Sequence, residues 1–90
     1  MLLLRDARPD LLARVTRLLR RLGERELAAR LADQPYYGEC RCTPRCRAVL
    51  TAEPGTSSPL MIWLEDDRGI VGEVSLTADG TMVTTVELTG

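Results

Sequence analysis

Three cysteines near the middle of the chain are the residues whose type and spacing could do chemistry. Cys40, Cys42 and Cys46 form the pattern Cys-x-Cys-x3-Cys within the cysteine segment, residues 36–47, which reads YYGECRCTPRCR. Cysteine thiolates are preferred ligands of zinc, and short spacings allow several of them to reach the same ion. The spacing therefore predicts a structural zinc or thiol cluster.

A zinc site at these cysteines needs a further ligand. Zinc in structural sites takes four ligands in a tetrahedron, so three cysteines leave one position open. The chain contains no histidine. Glu39, directly before Cys40, and Asp33 are the candidate fourth ligands; another acid, a water molecule or a ligand from a second chain are the alternatives.

The same cysteines allow two other interpretations. They could be small buried hydrophobic residues at a junction between helix and strand, a role that cysteine often fills. They could also be redox-active thiols, which requires an exposed thiolate and a resolving partner. A catalytic cysteine of the nucleophile–base type would need a histidine, which this chain lacks. We therefore expect a protein that is not an enzyme.

The charges of the chain are distributed unevenly. Residues 1–47 carry eleven arginines against six acidic residues, hence +5, whereas residues 48–90 carry one arginine against seven acidic residues, hence −6. Opposite signs predict attraction between the two halves, within a chain or between chains. The helix arginines, such as Arg14 and Arg17, could contact phosphates, but the acidic half would repel a nucleic acid. Nucleic-acid binding is therefore not the expected function and is the weakest alternative.

The pattern of apolar residues predicts helices over residues 9–33. Leucine and valine recur at three- and four-residue spacing from Leu11 to Leu22, and Pro9 suits the first turn of a helix. Gly23 directly follows the last apolar position, where a helix commonly ends. A second short helix is expected over Glu24–Ala32.

After the cysteine segment, apolar residues recur at every second position, and this pattern predicts antiparallel strands over residues 46–88. The strands are expected at Cys46–Thr51, Leu60–Glu65, Ile70–Leu76 and Thr81–Leu88. Two connections, 66–69 and 77–80, end in glycine and predict hairpins. The acidic run Glu65-Asp66-Asp67 belongs to one of them, and we interpret it as a turn and not as a calcium loop. We predict an α+β fold in a single domain, residues 1–90, with an N-terminal helix or helix pair packed on one face of a C-terminal three- to four-stranded β-meander.

Strict alternation assigns the strand residues to two faces of this sheet. The face predicted to meet the helices carries Leu60, Ile62, Leu64, Ile70, Gly72, Val74, Leu76, Met82, Thr84, Val86 and Leu88. The other face mixes polar residues with Met61, Trp63, Val71 and Val83. These four are either scattered surface hydrophobic residues or an apolar patch that a partner, or a second copy, covers.

No targeting or membrane segment is expected. The apolar start, Met1–Leu4, is followed at once by Arg5 and Asp6, and no apolar run reaches the length of a membrane span. This pattern predicts a cytoplasmic protein with no membrane contact. In such a reducing compartment, free or metal-bound thiols are favoured over disulfides.

The order of an amphipathic helical leader, a Cys-x-Cys-x(3–4)-Cys segment and a β-meander resembles small uncharacterised proteins of actinobacteria and other GC-rich bacteria. The resemblance spans roughly residues 10–90 and depends on Cys40, Cys42 and Cys46. The chain departs from that group at Arg47-Ala48-Val49, where aromatic residues would be expected. The group has no assigned activity, so the resemblance implies a fold and no function.

The sequence supports three function hypotheses. The first is a non-enzymatic module for protein–protein contact, including homodimer formation, with a structural zinc or thiol cluster at Cys40, Cys42 and Cys46. The second is a thiol redox or metal-handling protein that uses the same cysteines. The third is nucleic-acid binding through the helix arginines.

Overall fold

The structure is a computed structural model, and it describes residues 1–40, 43 and 45–89. Three helices come first: α1 (Leu4–Ala7), α2 (Pro9–Arg21) and α3 (Arg25–Leu31). The two predicted helices are therefore confirmed, and α1 precedes them. Residues 2–4 also pair with the segment after α3, because the Leu4 N–H donates to Gln34 O and the Tyr36 N–H donates to Leu2 O.

Gly23 separates α2 from α3 in the predicted way. It adopts φ +84°, a conformation that glycine enters without steric cost. The Gly23 N–H donates to Arg20 O at 3.0 Å and the Glu24 N–H donates to Leu19 O at 2.9 Å. These two bonds form a Schellman motif, which satisfies carbonyls that the helix end would otherwise leave unpaired.

Within the described part of the chain, five strands form one antiparallel sheet: β1 (Gly38–Glu39), β2 (Val49–Leu50), β3 (Leu60–Asp66), β4 (Gly69–Leu76) and β5 (Val83–Leu88). Their order across the sheet is β1-β2-β5-β4-β3. The meander of β3, β4 and β5 and the helices packed on one face confirm the α+β prediction. The strand predicted over Cys46–Thr51 is shorter, since only Val49 and Leu50 pair with β5. The two-residue β1 was not predicted.

The core lies between the helices and one face of the sheet, and it is made of aliphatic side chains. The fully buried members are Leu4, Val15, Leu19, Leu31, Val49, Leu64, Val74, Val83 and Val86. Trp63 is 51 % exposed and contributes little to the core. Within the described residues, branched aliphatic side chains and Ala28 form the buried core, and Tyr36 packs against it.

Two register shifts in the sheet overturn part of the predicted alternation. Leu64 pairs with Gly72 but Glu65 pairs with Ile70, so Val71 is an additional residue in β4. As a result Ile70, predicted to be buried, is 56 % exposed. A β-bulge of this kind moves the following side chains to the opposite face.

The second shift reverses the predicted faces at the start of β5. Ser75 pairs with Thr85 while Leu76 pairs with Val83, which leaves Thr84 as the additional residue. Val83 is therefore fully buried, although the alternation placed it on the outer face, and Met82 is 44 % exposed instead of buried. Val71, also predicted to lie outside, is half-buried and packs against the core.

Gln34 joins the end of the helical layer to the sheet. Its side chain is buried, and its Nε2 donates to Val83 O at 2.6 Å and to Thr51 O at 3.3 Å. Its Oε1 accepts a hydrogen bond from the Val83 N–H at 3.1 Å. The amide thus acts like a neighbouring strand for Val83, at the bulge where the ladder of β4 and β5 is irregular.

Candidate functional site

The cysteine segment contains β1, and its end leads into β2. The Tyr37 N–H donates to Leu50 O at 2.9 Å, and the Cys40 N–H donates to Ala48 O at 2.8 Å. Beyond that point the chain turns, because the Cys46 N–H donates to both Thr43 O at 3.2 Å and Thr43 Oγ1 at 3.1 Å. Cys42, the middle residue of the predicted cluster, lies outside the described residues. Cys40 therefore directly follows β1, and Cys46 lies three positions before β2.

Cys40 and Cys46 both line one cleft of about 810 Å³, which we call the thiol cleft. Both residues are half-buried. Residues of α2 and of strands β2 and β5 also line the cleft. The remaining lining residues are Arg8, Asp10, Leu11, Arg14, Glu39, Thr43, Arg47, Val49 and Leu88. The fold thus brings two of the three predicted cysteines to one place.

The two candidate fourth ligands occupy different places. Glu39 lines the thiol cleft, where its carboxylate accepts a hydrogen bond from Arg8 at 2.9 Å. Asp33 is not among the residues that line the cleft, and its carboxylate pairs with Arg5 at 3.0 Å. Within residues 1–40, 43 and 45–89, no three Cys, Asp or Glu side chains gather closely enough to hold a metal ion. A zinc site would therefore depend on Cys42, and Glu39 is better placed than Asp33 to join it.

Charged groups of both signs surround the two thiols. Arg8, Arg14 and Arg47 line the cleft together with Asp10 and Glu39. Arg8 directly precedes α2, Arg14 lies within that helix, and Arg47 lies two positions before β2. Cationic side chains near a cluster of thiolates would partly neutralise its negative charge, so the surroundings suit an anionic metal–thiolate centre.

The acidic turn between β3 and β4 is a structural hairpin, as expected. Asp66 Oδ1 accepts a hydrogen bond from the Arg68 N–H at 2.7 Å, and Gly69 closes the turn at φ +123°. Asp67 pairs with Arg21 at 2.6 Å, which links the basic half of the chain to the acidic half. This hydrogen bond and the charge of Asp67 raise the pKa of Arg21 above its ordinary value.

The outer face of the sheet carries an exposed apolar patch, formed by Met61, Trp63 and Ile70. These side chains are 46 %, 51 % and 56 % exposed. Glu73 and Glu87, which are cross-strand neighbours, lie beside Trp63 in a shallow groove. Alternation located Met61 and Trp63, but Ile70 joins them only because of the bulge.

Comparisons with protein-family models, with curated proteins and with solved structures find no match. The resemblance to small bacterial proteins with a cysteine segment therefore stays a prediction. No helix within the described residues is both long enough and apolar enough to cross a bilayer.

Proposed function

We propose that the protein is a small non-enzymatic interaction module whose cysteine segment forms a structural zinc-binding loop. The observation that supports this proposal is the position of Cys40 and Cys46, from the two sides of the loop, in one cleft with Glu39. Cys40, Cys42 and Cys46 would hold the metal, with Glu39 as the fourth ligand. The metal would supply a cross-link and no reaction.

The strands around the loop give a physical reason for such a cross-link. β1 and β2 are joined by two residue pairs, and β2 is joined to β5 by two more. A two-stranded hairpin is marginally stable in water, and this one is far shorter than an ordinary strand pair. Metal binding to folded ligands adds its binding free energy to the stability of the fold. Zinc bound by these residues would cross-link the end of β1 to the segment that leads into β2.

Arg8 would be a positioning residue for Glu39. A carboxylate has two oxygens and several lone pairs, so it can accept the Arg8 hydrogen bond and still bind a metal. Partners of this kind orient metal ligands, and their loss typically lowers metal affinity by about 10- to 100-fold. The ion pair of Arg8 and Glu39 at 2.9 Å thus supports the proposed ligand set.

The first experiment measures zinc per chain on protein purified without oxygen, together with the reactivity of the thiols before and after chelation. We expect close to one zinc per chain, with thiols that become reactive and a helix signal that falls when the metal is removed. About half a zinc per chain would indicate a site shared by two copies. Protein without metal, with three slowly reacting thiols, would refute the zinc loop and make the cysteines part of the core.

Glu39 and Asp33 provide a matched test of the fourth ligand. Each is an acidic residue in a single ion pair with an arginine, at 2.9 Å and 3.0 Å, but only Glu39 lines the thiol cleft. Glu39→Gln is expected to weaken zinc binding by about 10-fold or more, and Asp33→Asn should leave it unchanged. Equal affinities of the two variants would exclude Glu39 as a ligand.

A thiol redox or metal-handling protein is the second candidate, because the thiol cleft is large enough for a small molecule. Its volume of about 810 Å³ lies within the range of ligand pockets. Cys42→Ser separates the two candidates. Loss of folding supports the structural loop, whereas normal folding with lost thiol reactivity or metal transfer supports the second candidate. The nucleic-acid alternative, which depends on the helix arginines, predicts binding to DNA or RNA that falls steeply as the salt concentration rises. A protein that binds no nucleic acid at low salt would exclude this alternative.

A further inference from the structure

β3 is a long strand at the edge of the sheet. It is the last strand in the order β1-β2-β5-β4-β3 and has seven residues, Leu60–Asp66. Alternate backbone N–H and C=O groups of an edge strand point away from the sheet and can pair with another chain. β1, at the other edge, has two residues and offers little to pair with.

The devices that usually protect an edge strand are missing from the first five residues of β3. Proteins block such edges with lysine, proline, bulges or very short strands. Residues 60–64 read LMIWL, and the charged residues Glu65 and Asp66 come only at the end, after the register shift. Leu60, Met61 and Trp63 are 43 %, 46 % and 51 % exposed. This edge is apolar and open.

We infer that β3 pairs antiparallel with β3 of a second copy, centred on Ile62, to form a two-fold symmetric dimer with a continuous sheet. This inference names the partner of the interaction module proposed above. In this register Met61 lies opposite the partner's Trp63, and Leu60 lies opposite the partner's Leu64. Two contacts between a methionine sulfur and an indole ring form on the outer face, and such contacts are favourable.

The distribution of charge along the strand selects this register. Centring on Ile62 pairs apolar with apolar residues at every position from 60 to 64 and places Glu65 opposite Pro59, an uncharged residue. Centring on Trp63 would instead place Met61 opposite Glu65 and Leu60 opposite Asp66. Each of those pairs would remove water from a carboxylate without a compensating partner.

The size of the contact predicts a reversible dimer. Five paired positions span about 17 Å along the strand, and the sheet is about 10 Å thick. Such a strip is small beside the interfaces of stable complexes, which bury on the order of 1,200 Å² or more. We therefore expect monomer and dimer to exchange as the concentration changes.

Sedimentation velocity over about two decades of protein concentration tests the dimer. The chain has one tryptophan, so its emission reports on this edge directly. We expect a rise from monomer to dimer mass together with a blue shift of Trp63 emission. A monomer at every concentration would overturn the inference. It would leave the zinc loop untouched, because the metal content is measured separately.

Met61 and Met82 provide the matched variants. They are 46 % and 44 % exposed, but Met82 lies outside β3. Met61→Lys should weaken dimerisation at least tenfold, and Met82→Lys should leave it unchanged. Equal weakening by both would indicate non-specific apolar association and overturn the inference. Stronger dimerisation of Met61→Lys would place the lysine opposite Glu65 and so refute the Ile62-centred register.

A double variant keeps the test decisive if one substitution disturbs folding. Met61→Lys combined with Trp63→Glu creates two lysine–glutamate pairs across the interface in the Ile62-centred register. Opposite charges directly across two strands are favourable. The double variant should regain dimer that Met61→Lys loses, as seen by sedimentation with circular dichroism as the check on folding. Failure to regain dimer in a folded double variant would refute the register.

Discussion

Replacing Gln34 tests whether one buried amide holds the helical layer to the sheet. Gln34→Met keeps a long side chain of similar size and removes all three hydrogen bonds that the amide makes. The Val83 N–H and the Thr51 carbonyl then lose their Gln34 partner, at 3.1 Å and 3.3 Å in the wild type. The Val83 carbonyl keeps one donor, Thr51 Oγ1 at 2.7 Å.

The expected cost comes from the two orphaned groups. A buried polar group left without a partner costs about 1–3 kcal/mol, so with two such groups the free energy of unfolding should fall by about 2–6 kcal/mol. A small domain has about 5–15 kcal/mol in total, so this single substitution removes a large share. At about 4–8 °C per kcal/mol, the melting temperature should fall by roughly 8–48 °C.

The measurement is urea unfolding followed by far-ultraviolet circular dichroism, at fixed metal and protein concentration because both stabilise by mass action. Thr51→Val is the control: it leaves the Val83 carbonyl its Gln34 donor and should cost only about 1 kcal/mol.

Gln34→Glu adds a test of how stability depends on pH. Burial raises the pKa of that new carboxyl, so its protonated form is favoured and the variant should lose stability as the pH rises through that pKa. A Gln34→Met variant as stable as wild type would refute the reasoning.

Two further predictions concern the sheet and its turns. Gly72→Ala should destabilise the protein by about 1–3 kcal/mol or more, because a Cβ at Gly72 would overlap the Glu87 carbonyl oxygen, a backbone atom that cannot move aside. Urea unfolding measures this cost, and a variant as stable as wild type would contradict the predicted clash. Hydrogen bonds from Thr77 and Thr81 lower the pKa of Asp79 from 3.8 to about 2. Its contribution to stability is therefore present above pH 4 and lost as the pH falls towards 2. Asp79→Asn should lose less stability than wild type over that window in acid unfolding, and identical acid profiles would show that these bonds do not stabilise the carboxylate.

The periodicity of the sequence predicted the helices α2 and α3 and the strands β3 to β5, but not α1 or β1. In α2, apolar residues at three- and four-residue spacing have only one way to face a core, and Gly23 ends the helix because it reaches positive φ without cost. The glycines that end the two hairpin turns, Gly69 and Gly80, act in the same way. Helix faces and glycine turns are local preferences, because they depend only on residues that are close together in the sequence.

The faces of the strands were predicted only in part. Alternation places Ile62 and Leu64 inside and Trp63 outside, but a bulge adds one residue and reverses the faces of the residues beyond it. Val71 and Thr84 are the additional residues of the two bulges because of how each strand pairs with the strand opposite. Ile70 is therefore exposed and Val83 buried without any local signal in the sequence. Gln34 is hidden from sequence analysis for the same reason, since its partner Val83 lies 49 positions away.

For the candidate site too, the sequence predicts some features and the tertiary structure decides the others. Cysteine spacing alone identifies a segment that could bind zinc, because ligands close in sequence can reach one ion whatever the fold. Only the tertiary structure brings the start of α2 against Cys40 and Cys46, pairs Glu39 with Arg8 and directs Asp33 to Arg5. It also makes β3 the edge of the sheet, because the order of strands depends on long-range pairing that periodicity does not encode.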